Sequence, residues 1–233
     1  MTETDAYVIA PPDRALLPVA GTSQSFPVRR IYCVGRNYVA HVREMGGDEM
    51  RDPPIFFQKP ADSIVPDGAL IPYPPMTSNY HYELELVVAL KKGGRNIPVA
   101  DALDCIYGYG IGLDMTRRDL QMDLGKSGLP WEAGKAFDNS CPCGPIHPVE
   151  TVGHVLEGTI QLAVDGEPRQ DSDLKLMIWK VPEIIANLSK YFMLKPGDII
   201  LTGTPAGVGP VVPGNELVGS IDKLGTLRVR IGS

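Results

Sequence analysis

No apolar run in this chain goes far before a glycine or a proline interrupts it. The 233 residues carry 25 glycines and 22 prolines, spread along the whole length. Proline breaks helices and removes a ladder donor from strands, and glycine marks turns and close backbone approaches. A chain punctuated in this way can build many short strands and only a few short helices. Apolar or alternating runs predict strands at 31–35, 55–60, 82–90, 107–113, 159–164, 199–202, 217–218 and 227–231. Asp165-Gly166, between two such runs, signals a tight hairpin. The prolines in 71–75 exclude a central strand there. Helices are expected at 38–45, with Asn37 as cap and Gly46-Gly47 as stop, at 100–106, and from Pro182 to about Phe192. A fourth is expected at 116–126, where Thr116 and Asp119 resemble a capping box. Strands and helices do not alternate regularly, which argues against doubly wound and barrel architectures. The expected fold class is α+β and β-rich, with one domain over 29–233 preceded by an irregular arm over 1–28.

Charge narrows the partners. With 28 acidic against 22 basic residues the net charge is −6, which leaves no basic face for a nucleic acid. No apolar run of about 18 residues is present, so no membrane partner is expected. The acidic start Met-Thr-Glu-Thr-Asp lacks the basic region of a signal peptide, and a cytoplasmic location is expected. Cys33, Cys105, Cys141 and Cys143 are then expected as free, buried thiols. Cys141-Pro-Cys143 has neither the spacing nor the neighbouring histidine of a zinc site.

The residues that could do chemistry are few. Glu83 and Glu85 are i and i+2 on a strand, so both carboxylates share a face, with Cα atoms roughly 6–7 Å apart at about 3.3 Å per residue. They could face one hard cation, or simply form a solvated strand face. Asp114 ends an apolar strand just before a helix, where it could be a metal ligand or an N-cap. Oxygen-only ligands suit Mg²⁺, Mn²⁺ or Ca²⁺ better than zinc. His41 and Glu44 are i and i+3 on a helix, either a proton-sharing pair or an ordinary surface pair. Lys59, Arg117, Arg118 and Lys135 form a basic set. Lys135, between apolar neighbours, could clamp an anion. The loop Thr202-Gly203-Thr204-Pro205-Ala206-Gly207-Val208-Gly209 lacks the lysine of a P-loop but could bring backbone N–H groups close to an anion.

In their order these segments resemble the fumarylacetoacetate hydrolase family. The resemblance is carried by Tyr32-Cys33-Val34-Gly35-Arg36-Asn37-Tyr38 with His41 and Glu44, by Phe57-Gln58-Lys59-Pro60, and by His81-Tyr82-Glu83-Leu84-Glu85-Leu86. Gly112-Leu113-Asp114-Met115-Thr116-Arg117-Arg118-Asp119 and the 201–209 loop complete it. The stretches 26–30 and 131–138 further resemble the family's fumarylpyruvate-cleaving branch.

The resemblance implies a mixed β-roll, a homodimer, and Mg²⁺ or Mn²⁺ on Glu83, Glu85 and Asp114. It implies a His41–Glu44 dyad on a lid helix and a substrate-contacting Lys135. Arg36, Lys59, Arg118, Gln121, Gly203 and Thr204 are expected around a small diketo acid. The expected reaction is hydrolysis of an acylpyruvate C–C bond, most simply fumarylpyruvate to fumarate and pyruvate. Decarboxylation or tautomerisation of oxaloacetate on the same metal, and a non-catalytic dicarboxylate-binding module, are the alternatives. Arg43 and Arg51 are candidates for the substrate's remote carboxylate.

Overall fold

A computed structural model describes residues 7–46 and 52–233. Its centre is a mixed sheet with Leu84–Leu90 in the middle. On one side lie Asp198–Leu201, Arg30–Gly35 and the edge strand Ile55–Lys59, and on the other Ile106–Leu113, Cys141–Cys143 and Ile64–Pro66. Every residue of Leu84–Leu90 is buried, because both faces of the sheet are covered. Leu84, Leu86, Val88 and Leu90 join the larger core with Tyr32, Tyr109, Ile184 and Leu188. Val87 and Ala89 point the other way, into a smaller core with Ile31, Cys33, Ile199, Leu201 and Cys141. Period-two alternation therefore places Glu83 and Glu85 on the face that Val87 and Ala89 continue.

A second sheet runs Glu167–Asp173, Thr159–Val164, Glu216–Ile221, Gly225–Gly232 and Leu70–Pro72. The hairpin turn is where the sequence places it, with Asp165 and Gly166 both at positive φ. The proline-bearing Leu70–Pro72 is an edge strand. The helix Val181–Tyr191 begins with proline in its first turn and buries Ile184, Ile185 and Leu188. The glycines of Ile106–Leu113 permit close packing: a methyl at Gly112 would stand 2.7 Å from Val87 Cγ2. The β-rich α+β class read from the sequence is the observed one. All four cysteines are free and buried.

Several local expectations are corrected. The arm is not irregular throughout, since Leu16–Pro18 and Ser25–Pro27 form a hairpin whose Leu17 and Phe26 cover the smaller core. Only two inward side chains distinguish that hairpin, too few to read as a period. Residues 100–106 form two 3₁₀ turns, Val99–Asp101 and Leu103–Cys105, rather than one helix. The helix near residue 38 spans Val39–Glu44, and Asn37 does not cap it. Instead the Asn37 amide donates to Thr202 O and Trp179 O, and its carbonyl accepts from Trp179 N–H. The next helix begins at Arg118, so neither Thr116 nor Asp114 is its cap. Asp119 accepts from the Thr77 hydroxyl and Ser78 N–H, which anchors the loop before Tyr80.

Candidate active site

The run predicted as one strand at 82–90 breaks at Glu83. Tyr80–Tyr82 belongs to a small three-stranded sheet with Thr116–Arg117 and Gly209–Val211, and Leu84–Leu90 belongs to the large one. Asp114 lies at the same kind of break, between Ile106–Leu113 and Thr116–Arg117. The two crossings run side by side, and the Asp114 N–H donates to Glu83 O at 2.8 Å. The glycine loop makes a third crossing, from Asp198–Leu201 to Gly209–Val211. The site therefore forms along the seam between two sheets, where the backbone leaves one ladder for another.

Glu83, Glu85 and Asp114 are all buried, and one carboxylate oxygen from each lies within 4.8 Å of the others. Three buried cations face them. Lys135 Nζ donates to Glu83 Oε2 at 2.8 Å, to Asp114 Oδ2 at 2.7 Å and to Thr116 Oγ1 at 2.7 Å. Arg118 pairs with Glu83 Oε1. Lys59 Nζ sits 2.9 Å from Asp114 Oδ1 and donates to Met115 O and Lys135 O. Burial opposes ionisation of Glu83, yet Lys135 and Arg118 hold its pKa well below the ordinary carboxylate range. Burial likewise opposes the charge on Lys135, but Asp114 and Glu83 raise its pKa on balance.

Glu85 stands apart. No cation pairs with it among the described residues, and its one donor is the Gly203 N–H at 2.6 Å. Burial, then the charges of Asp114 and Glu83, push its pKa well up. Asp114 Oδ1 is close to Lys59 but accepts no well-aligned hydrogen bond. Glu85 is thus a buried carboxylate that no cation pairs with among the described residues, beside an Asp114 oxygen with no well-aligned donor. The donor set is all oxygen, so these residues fit a hard divalent metal.

The triad opens onto a cavity of about 330 Å³. Arg36, His41, Arg118, Gln121, Lys135 and Thr204 line it together with the three carboxylates. Glu44, Lys59 and Gly203 are not among its walls, and each braces a residue that is. Glu44 accepts from Gly207 N–H at 2.9 Å and lies 3.1 Å from His41 Nδ1. Lys59 holds Asp114, and Gly203 holds Glu85. Arg43 does not line the cavity, and Arg51 lies outside the described residues.

The hydrogen bonds also set donor directions. Arg118 donates to Gln121 Oε1 at 2.6 Å, which leaves the Gln121 NH₂ for the cavity. Gln170, which the sequence did not single out, takes Leu84 N–H on its carbonyl and donates to Thr204 Oγ1 and Pro205 O. Its amide is thereby fixed, and Thr204 keeps its own proton to donate. Only a hydrogen-bond map finds such a residue, because the strand Glu167–Asp173 has no apolar alternation to mark Gln170 as its buried position.

Residues 30–232 match the fumarylacetoacetate (FAA) hydrolase C-terminal family, and the chain belongs to it. The fold is the mixed, β-rich roll of that domain, and the chain is an enzyme acting on a small molecule. Among its relatives, a fumarylpyruvate hydrolase from Ralstonia sp is 44% identical over 185 residues, 79% of this chain and 96% of that one. The mitochondrial oxaloacetate tautomerase FAHD1 of Homo sapiens is 42% identical over 203 residues, 87% of this chain and 91% of that one. A crystal structure of fumarylpyruvate hydrolase from Pseudomonas aeruginosa with Mn²⁺ and pyruvate superimposes with a TM-score of 0.96 at 52% identity, covering 97% of this chain and 99% of that one. No helix among the described residues is long and apolar enough to cross a membrane.

Proposed function

We propose that the protein hydrolyses the C–C bond of an acylpyruvate, with fumarylpyruvate giving fumarate and pyruvate. The observation that carries this reading is the His41–Glu44 pair, which places a proton acceptor in the same cavity as the carboxylate triad. Mere binding of a dicarboxylate needs no such acceptor. The Glu44 contact assigns the ring proton to Nδ1 and leaves Nε2 to accept one. His41 takes a proton from water, and the oxygen attacks the carbonyl distal to the pyruvoyl end. The tetrahedral oxyanion collapses, the C–C bond breaks, and its electron pair leaves as pyruvate enolate. A proton returns to the enolate carbon, giving pyruvate beside the new carboxylate of fumarate.

Gln121 and Thr204 donate to the pyruvoyl carboxylate, and Arg118 holds Gln121 in that orientation. Lys135 has all three donors committed, so it reaches the oxyanion only when one contact gives way. Mg²⁺ or Mn²⁺ held by Glu83, Glu85 and Asp114 would supply Lewis-acid stabilisation of enolate charge. A homodimer in the cytoplasm completes the proposal, and size-exclusion chromatography with light scattering tests the dimer.

A second reading is oxaloacetate tautomerisation, favoured by relatives of that name at similar identity. It needs proton transfer but no attacking water. Assays of the wild type on both substrates separate the two. Under the hydrolase reading Glu44→Gln lowers acylpyruvate cleavage by two or more orders of magnitude. Wild-type protein that converts oxaloacetate tautomers but cleaves no acylpyruvate would reverse the assignment.

A further inference from the structure

The cavity has two electrostatic halves. In the inner half, the cations Lys135 and Arg118, with Lys59 behind the cavity wall, are each paired with a carboxylate of the triad. In the outer half stand Arg36 and Lys126, both exposed and both lining the cavity. No carboxylate among the described residues comes within ion-pair distance of either. Asp123, three residues before Lys126 on the same helix, makes no ion pair with it. Apart from the triad, no carboxylate among the described residues lines the cavity.

The glycines that precede these two cations both pack against the Trp131 ring: a methyl at Gly35 would stand 3.3 Å from Trp131 Cζ3, and one at Gly125 would stand 3.1 Å from Nε1. Arg36 and Lys126 thus each follow a residue seated on the same indole, and all three line one cavity. The same ring meets Phe57 edge-on at 5.8 Å, and Phe57 lies 5.1 Å from Lys135 Nζ. An apolar wall of two rings therefore runs from the triad to the outer pair. Arg36 occupies left-handed backbone at φ +58°, a conformation that costs a non-glycine residue and is found at ligand sites.

Resting on the acylpyruvate reading, we propose that Arg36 and Lys126 form a cationic rim that receives a carboxylate at the far end of the acyl group. The substrate class is then acylpyruvates whose acyl chain itself ends in an acid. The pyruvoyl end lies at the triad, the flat unsaturated chain lies along Phe57 and Trp131, and the far carboxylate meets two cations that have no carboxylate partner among the described residues. The rim takes the role expected of Arg43, which does not line the cavity.

The test compares fumarylpyruvate, which has the far carboxylate, with acetylpyruvate, which lacks it. Arg36→Gln and Lys126→Met are assayed with Mn²⁺ present. Each should raise KM for fumarylpyruvate about tenfold, the effect of one charge-assisted hydrogen bond. KM for acetylpyruvate should stay within about twofold. Both side chains are exposed, so unchanged thermal unfolding confirms folded variants. Equal effects on the two substrates, or none on fumarylpyruvate, would overturn the rim. Should the wild type cleave neither compound, the hydrolase reading falls separately. The rim is then judged on calorimetric Kd values for the same two compounds, where the same asymmetry supports it and its absence refutes it.

Discussion

Lys59→Met is the substitution whose consequences the structure defines most fully. The Lys59 ammonium is wholly inaccessible, donates to Met115 O and Lys135 O, and lies in ion-pair contact with Asp114 Oδ1. Removing it deprives the buried Met115 carbonyl of its donor, leaves Lys135 O with only the Ser140 hydroxyl at 3.3 Å, and takes one cation from the carboxylate triad. Breaking a buried pair from one side costs about 3–5 kcal/mol, because the other charge stays buried. At about 2–4 °C per kcal/mol for a chain of this size, Tm in EDTA should fall by roughly 6–20 °C. Mn²⁺ should restore more to the variant than it adds to the wild type. A cation that binds only the native state stabilises by RT ln(1 + [L]/Kd), and losing the competing ammonium lowers Kd. Differential scanning calorimetry with EDTA and with excess Mn²⁺ reads both effects. A variant within about 2 °C of wild type in EDTA would refute the brace. An equal Mn²⁺ shift in both proteins would refute the charge argument.

Other expectations follow from the same contacts. Gln170→Leu removes the donor that orients Thr204, so KM for acylpyruvates should rise severalfold with a stability loss of about 1–3 kcal/mol from the unpaired Leu84 N–H. Glutamate at that position should not rescue, since it cannot donate to Thr204, and rescue would contradict the orientation argument. His81 is neutral in the fold, its pKa lowered to about 4 by burial and then by Arg118, against the opposing pull of Glu83 and Glu44. The unfolded chain therefore takes the proton first, and stability declines as pH falls from the ordinary histidine range toward about 4. Urea titrations in EDTA at pH 7 and pH 5 should show a smaller decline for His81→Gln, and an identical decline would count against this origin.

How far the sequence could be read follows from what sets each feature. Strand runs and the Asp165-Gly166 turn are local patterns, and they were legible as such. Residues 83 and 85 share a face because side chains alternate, which two residues suffice to predict. The break at Glu83 was not legible, because it comes from Tyr80–Tyr82 pairing with Gly209–Val211, far along the chain. Thr116 looked like a cap because its spacing from Asp119 is right. Instead its hydroxyl donates to Asp114 O and accepts from Lys135, a tertiary demand that overrides the motif. Which cation serves which carboxylate is likewise a matter of three dimensions. Lys59 follows an aromatic strand and Lys135 lies between apolar neighbours, yet one sits behind Asp114 and the other between Asp114 and Glu83. Gln170 and Lys126 carry no motif, and only their neighbours give them a role.

The account rests on cation-dependent cleavage at a seam of three carboxylates. Its most direct test is product analysis after fumarylpyruvate is incubated with the purified protein. The prediction is fumarate and pyruvate in equal amounts, abolished by EDTA, restored by Mg²⁺ or Mn²⁺, and absent from Asp114→Ala with or without added metal. Cleavage that persists in EDTA, or in Asp114→Ala, would contradict it, as would intact fumarylpyruvate after prolonged incubation with metal-loaded protein.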